Sequence, residues 1–155
     1  MNKLFMAILC TLPMAVLAYP DLPDPKLTPG ALNWAVTQET IKTTICSKDY
    51  THTIRPTSRY VTKVKLQQLT QNGPYRSSLP LTNFKEDHLI SLELGGDPID
   101  TKNLWPQLNV SSYKKDKLEN ALNILVCKGK VTLVEAQKAV STNWIIAYTK
   151  YVKNK

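Results

Sequence analysis

The sequence predicts a single α+β domain in which a β-hairpin is followed by a helix, with additional helices around this unit. Residues 84–94 are predicted to form a strand, and its apolar run leads into residues 95–98, a Gly-Gly-Asp-Pro turn that no strand could run through. A return strand is expected at residues 103–105, stopped by Pro106, and an amphipathic helix at residues 113–127. The chain has 155 residues, enough for one domain with a hydrophobic core and too few for two.

Helices are predicted on both sides of the hairpin. Residues 60–69 have apolar side chains at partly helical spacing, which favours a short helix. In residues 113–127 the 3.6-residue period places an apolar stripe along one face, comprising Leu118, Ala121, Leu122, Leu125 and Val126. Gly129 ends that helix, and Thr132 with Glu135 forms a capping box that opens the last one. Trp105 and Trp144 occupy apolar positions and are expected in the core.

The chain is predicted to have three parts. Residues 1–18 have a basic start, an apolar stretch and a small-residue pattern ending at Ala18, which indicates a cleavable signal peptide. Residues 19–30 are rich in proline and predict an extended, mobile leader. Residues 31–155 form the domain. The protein is therefore expected to be secreted or periplasmic.

Two cysteines follow the predicted signal peptide, Cys46 and Cys127. An even pair in an exported chain predicts one disulfide, closing a loop of about 80 residues. A metal site is the other interpretation of two cysteines, and it is rejected because neither lies near a second ligand at the usual spacing.

The formal net charge is +8, with the lysines spread along the whole chain. Such a charge favours polyanionic partners, namely nucleic acid, acidic glycans or an anionic membrane. It is also common among secreted proteins of other kinds, so it permits a nucleic-acid partner without requiring one.

An unusual group of polar residues stands at the start of the apolar run, in the segment KEDHLISLELGG. A neutral imidazole such as that of His88 can take a proton from water and generate a nucleophile. The amide oxygen of Asn103 on the second strand can accept from the ring N–H and hold one tautomer. The carboxylate of Asp87 can hold a divalent cation that neutralises a phosphate. Together these groups are suited to the hydrolysis of a phosphodiester.

The segments EDHLISLELGG and NLWPQ resemble the HNH, or ββα-metal, endonucleases. Those enzymes carry Asp-His or His-His on one strand, Asn on the next and a last ligand on the helix. His88 and Asn103 are fifteen positions apart, which suits that motif. Further segments resemble a group of small exported bacterial HNH-like proteins and extend the resemblance over nearly all of the mature chain: TPGALNWAVTQETIKTTIC, IRP, KDKLENALNILVC and LVEAQKAVSTNW.

The resemblance implies a ββα-metal core and a metal-dependent endonuclease that cleaves DNA or RNA with little sequence preference. It implies His88 as general base, Asp87 as a metal ligand and Asn103 as the residue that orients the base or ligates the metal. The family's helix often carries His or Asn, whereas this helix has no histidine, so Asp116 is favoured over Glu119 as the last ligand. Oxygen ligands predict Mg²⁺, with Mn²⁺ or Ca²⁺ as alternatives. The protein is expected to be a monomer without stable membrane association.

Contacts to the substrate are expected from basic side chains that would meet the phosphate backbone without reading sequence: Arg55, Lys114, Lys115 and Lys117. The alternative is a solvated, lysine-rich helix edge. His52 has no acidic neighbour in sequence and is predicted to be a surface residue.

Plainer interpretations stay open at this point. Asp87-His88 can be a strand end with a simple hydrogen bond, and Asn103 a turn-capping amide. Asp116 and Glu119 can be helical ion-pair partners of nearby lysines. The alternative for the whole protein is a catalytically inactive, exported nucleic-acid-binding protein on the same scaffold, and a third is a secreted structural or cell-envelope protein.

Overall fold

A computed structural model describes residues 21–154, and the predicted signal peptide lies outside these residues. The described chain is α+β, with one two-stranded antiparallel hairpin and four α-helices. In chain order the elements are α1 (Tyr50–Ile54), α2 (Ser58–Leu69), β1 (Phe84–His88), β2 (Leu104–Leu108), α3 (Asn109–Cys127) and α4 (Leu133–Tyr148), followed by a π-helical turn at Thr149–Lys153. In this part of the chain, no helix is both long and apolar enough to cross a membrane.

The hairpin pairs Phe84 with Leu108 at one end and His88 with Leu104 at the other. The first strand is shorter than predicted, because it ends at His88 and not at Leu94. Residues 89–92 are all buried. In a strand with one face in solvent, buried and exposed residues would alternate. This apolar run therefore forms a buried loop with a 3₁₀ turn at Leu92–Leu94.

The second strand was predicted to stop before Pro106, and this was wrong. β2 runs through Pro106, which lies opposite Glu86, and continues to Leu108. In an antiparallel pair, alternate N–H groups point away from the partner strand. A proline is tolerated at such a position when no further strand lies on that side to accept a hydrogen bond. Within residues 21–154 the sheet has two strands, so β2 is an edge strand.

Two groups of buried apolar side chains hold the loop between the strands. The larger lies between α3 and α4 and includes Ile90 and Leu94 from the loop. The smaller contains Leu89 together with Trp105, Leu69, Tyr75 and Phe84. Because adjacent loop residues are anchored in different clusters, the segment that follows His88 is fixed on both sides. The core positions predicted for Trp105 and Trp144 are confirmed.

The helices predicted after residue 60 are confirmed, with small shifts at their ends. α3 begins at Asn109 rather than Tyr113 and is followed by Gly129 in a left-handed conformation. The predicted capping box is present at the start of α4. The Thr132 hydroxyl accepts from the Glu135 N–H, and the Glu135 carboxylate accepts from the Thr132 N–H. One feature was not predicted, a break within α4 at Asn143, where the backbone is extended.

The Cys46–Cys127 disulfide is present, with the two Cα atoms 5.6 Å apart. It joins the segment before α1 to the last residue of α3. The prediction of a disulfide is thereby confirmed.

Residues 21–30, expected to belong to a mobile leader, pack against the domain. Trp144 donates through Nε1 to the carbonyl of Asp21 at 2.8 Å, and the Gly30 N–H donates to the carbonyl of Lys102 at 2.9 Å. The buried hydroxyl of Thr28 lies 2.7 Å from that of Tyr75. Proline and polar residues in this segment suggested a linker, yet its backbone groups find partners on the folded domain.

Candidate functional site

Asn103 holds the loop between the two strands. Its Oδ1 accepts from the Ile90 N–H at 2.9 Å, and its Nδ2 donates to the carbonyls of Ile90 and Asp97, both at 2.9 Å. The side chain is completely buried. The predicted hydrogen bond from the His88 ring to Asn103 is absent among these contacts. The structure instead uses its amide to bind the backbone of the loop.

The double glycine permits this arrangement. Gly96 lies so close to the loop backbone that a Cβ there would meet the carbonyl oxygen of Ile90 at 1.8 Å and Nδ2 of Asn103 at 2.7 Å. Gly95 has a left-handed backbone with φ of 75°. A side chain at residue 96 would therefore displace the amide of Asn103, and one at residue 95 would be strained.

The loop presents a backbone carbonyl to His88. Asp97 Oδ1 accepts from the N–H groups of Ile99 at 2.9 Å and Asp100 at 2.8 Å, which fixes the turn around Pro98. The carbonyl oxygen of Pro98 lies 3.0 Å from Nε2 of His88. Since a carbonyl can only accept, Nε2 carries the proton and Nδ1 of the neutral ring carries the lone pair. Asn103 thus acts on His88 indirectly, by holding the loop that contains Pro98.

Burial is the main electrostatic influence on His88, and it lowers the pKa of the imidazole below its ordinary 6.5. The Pro98 hydrogen bond and the negative charge of Asp87 oppose this effect, while Lys115 and Arg55 add to it. The pKa shift favours a neutral ring at pH 7. A neutral ring with a fixed tautomer is the form that can act as a general base.

Lys115 lies at the junction between the hairpin and α3. Its ammonium donates to Asp87 Oδ2 at 2.9 Å, to the His88 carbonyl at 2.6 Å and to Glu119 Oε1. The side chain of Lys115 is 0% exposed. The predicted contact of this lysine with substrate is therefore wrong: the side chain lies inside the protein and donates to three protein oxygens.

Lys85 adds a second cation beside Asp87. Its ammonium lies 3.5 Å from Asp87 Oδ1 and 3.0 Å from Asp116 Oδ1. Strand alternation places Lys85 and Asp87 on one face of β1, and these contacts identify it as the face that meets α3. Asp116, predicted as the last metal ligand, is therefore the outer ion-pair partner of Lys85.

The two carboxyl groups that contact Lys115 have pKa values shifted in opposite directions. Burial opposes ionisation of Asp87, but Lys115 and Lys85 together bring the pKa of its carboxyl below the ordinary value. For Glu119, burial and the nearby charge of Asp87 outweigh Lys115 and raise the pKa to about 7. Asp87 is thus the carboxylate that stays ionised near pH 7.

The remaining predicted site residues lie on the surface. Arg55 is exposed, and its charge acts on both His88 and Glu93. Lys114 is exposed on α3, and within residues 21–154 no hydrogen bond or ion pair joins it to His88 or Asp87. His52 is exposed, as predicted.

A divalent metal is implied by the resemblance to ββα-metal enzymes, and the donor set can be tested against it. Asp87, Asp116 and Glu119 each contact a lysine ammonium. Among the described residues, no three or more His, Cys, Asp or Glu side chains are grouped so that they could hold a metal ion. These residues do not fit a resident divalent cation, because lysine nitrogen already occupies the place between the carboxylates.

Two parts of the site were missed in the sequence. The carbonyl of Pro98 could not be identified, because a backbone acceptor leaves no trace in residue types. The burial of Lys115 did leave a signal: the helical period that places Leu118 and Leu122 in the core also places residue 115 there. Lysine is so seldom buried that the ordinary interpretation is a surface side chain.

No protein-family model matches the chain, and no curated protein or solved structure matches it.

Proposed function

We propose that the protein is an exported nuclease that hydrolyses phosphodiester bonds of DNA or RNA with little sequence preference. The observation that carries the proposal is the hydrogen bond from His88 Nε2 to the Pro98 carbonyl, which leaves the Nδ1 lone pair as the proton acceptor. The hairpin followed directly by α3 supports an HNH-like, ββα scaffold for this site.

In the proposed reaction, Nδ1 of His88 takes a proton from a water molecule, and that water attacks phosphorus in line with the leaving oxygen. Asn103 and Pro98 keep the imidazole in one orientation throughout. Lys85 is partly exposed at the edge of the cluster, and Arg55 is exposed near His88. In this proposal both cations attract a phosphate and stabilise the charge that develops on it.

The charge and the disulfide support the substrate class and the location. The net charge of +8 favours a polyanion, and the exposed Lys114 and Lys117 belong to the same helix that carries the site. The Cys46–Cys127 bond supports export, because disulfides persist in oxidising compartments.

The test is a nuclease assay on plasmid DNA and on RNA, with parallel reactions in EDTA, Mg²⁺ and Mn²⁺. His88→Gln is the informative variant, since a glutamine amide can still donate to Pro98 but cannot take a proton at neutral pH. We expect cleavage by the wild type, a loss of about 100-fold or more in His88→Gln, and no loss in the matched control His52→Gln. Absence of cleavage on both substrates under every condition would refute the proposal.

A second candidate is a nucleic-acid-binding protein that does not cleave. It is favoured by the engagement of Asp87 by both Lys115 and Lys85, which leaves its charge largely neutralised. This candidate predicts salt-dependent binding that is unchanged in His88→Gln, without any cleavage by the wild type.

A further inference from the structure

Three oxygen atoms converge on a single point where β1 meets α3. They are Oδ2 of Asp87, the carbonyl oxygen of His88 and Oε1 of Glu119, and the ammonium of Lys115 occupies the point between them. Two of the three come from adjacent residues of the strand and one from the helix. The cluster therefore ties the backbone of the proposed base directly to α3.

This is an arrangement that a hard cation would use. Magnesium, manganese and calcium are bound in proteins by carboxylate and carbonyl oxygens gathered around one position. An ammonium has three N–H donors, and that of Lys115 donates to all three of these oxygens. A divalent ion could bind these oxygens only by displacing the ammonium, because two cations in contact with the same three oxygens would repel each other.

The surroundings hold the lysine in its charged form. Burial favours a neutral amine, but the charges of Asp87 and Glu119 outweigh it and raise the pKa of Lys115 above its ordinary value. Removal of the ammonium would leave two carboxyl groups and a carbonyl facing one another without a cation between them. Lys115 is fully buried, so it positions these groups and does not itself touch a substrate.

We propose that Lys115 is the resident cation of this site, occupying the position that a divalent metal ion would take between the hairpin and the helix. The protein accordingly binds no Mg²⁺ or Mn²⁺ at Asp87. Where the inference concerns catalysis it rests on the proposed function: hydrolysis at His88 then proceeds in the presence of EDTA.

The first test is metal binding, which needs no enzymatic activity. Purified wild-type protein is freed of metal and titrated with Mn²⁺ while free Mn²⁺ is followed by electron paramagnetic resonance. We expect no saturable binding up to about 1 mM, and no rise in the unfolding temperature with Mn²⁺ or Mg²⁺. Saturable binding by the wild type that disappears in Asp87→Asn would overturn the inference.

The second test is the removal of the ammonium. Lys115→Met frees the three oxygens, so this variant should gain Mn²⁺ binding at least about 10-fold tighter than the wild type and should unfold at higher temperature when Mn²⁺ is added. Lys114→Met is the matched control, being the exposed neighbour, and should gain nothing. A folded Lys115→Met that binds no Mn²⁺ would show that the three oxygens do not form a cation position. If this variant does not fold, the wild-type titration decides by itself.

The nuclease assay separates the two proposals. Cleavage in EDTA that is lost in His88→Gln supports both. Cleavage that requires Mg²⁺ or Mn²⁺ preserves the proposed function and overturns the resident cation. Absence of any cleavage overturns the proposed function, while the titration of the wild type still tests the resident cation.

Discussion

The ammonium of Lys115 lies 2.9 Å from Oδ2 of Asp87 and joins helix α3 to the strand that carries His88. The two residues are 28 positions apart in sequence. Because the lysine also contacts the His88 carbonyl and Glu119, one side chain fixes the hairpin, the helix and the candidate base in a single arrangement. The stability of the protein and its proposed activity therefore depend on the same contact.

Lys115→Met should lower the free energy of unfolding by about 3–5 kcal/mol, because it removes the buried ammonium that Asp87, Glu119 and the His88 carbonyl share. Urea denaturation at pH 7 measures the change. Lys114→Met alters an exposed position next to it on the helix and should stay within about 0.5 kcal/mol of the wild type. Equal effects of the two substitutions would contradict the structural role assigned to Lys115.

Asn103→Ala should destabilise the protein by about 3 kcal/mol, since it removes two buried hydrogen bonds and one partly buried hydrogen bond to the loop backbone. The local readout is hydrogen exchange of the Ile90 amide, which loses its acceptor and should exchange faster. Asn120→Ala, at an exposed position of α3, serves as the control and should leave that amide unchanged. An Ile90 amide that stays equally protected in Asn103→Ala would count against the assigned contact.

Replacing both Cys46 and Cys127 with serine should cost about 2–5 kcal/mol, because the disulfide closes a loop with a sequence separation of 81. Urea denaturation of the double variant, compared with the oxidised wild type, measures the loss. In oxidised protein without residues 1–18, titration of free thiols should find none. Two reactive thiols in that protein would show that the bond does not form in solution.

Glu86→Gln should weaken the pH dependence of stability. Burial, with a smaller effect of Asp87, raises the pKa of Glu86 from its ordinary 4.5 to about 8. The folded protein therefore holds this proton more tightly than the unfolded chain. The associated stability is complete below about pH 4.5 and is lost as pH rises through about 8. Urea denaturation between pH 5 and 8 should show a smaller decline for the variant than for the wild type.

The control for this pH series is Glu39→Gln. The pKa of Glu39 is lowered by a hydrogen bond from the Thr37 hydroxyl. The contribution of Glu39 to stability therefore changes with pH only below its ordinary pKa of 4.5. Between pH 5 and 8 this variant should follow the wild type. Parallel curves for Glu86→Gln and the wild type across that range would show that Glu86 ionises normally in the folded protein.

Much of the local structure could be predicted from residue patterns. The capping box at Thr132 and the glycine after α3 act through neighbouring residues, so they could be recognised without knowledge of the tertiary contacts. The run from Leu89 to Leu94 was assigned to a strand because its residue types suit one. The burial of residues 89–92 could not be foreseen, since it depends on two separate clusters that receive neighbouring residues.

The sequence by itself determined the order of strand, glycine turn, strand and helix, the disulfide, and Asp87, His88 and Asn103 as the candidate site residues. These conclusions rest on short-range propensity and on residue chemistry. Only the tertiary structure decided that Asn103 binds the loop, that His88 donates to Pro98 and that Lys115 lies between two carboxyl groups. Those contacts join residues 6 to 28 positions apart, and the packing of α3 against the hairpin brings the most distant of them together.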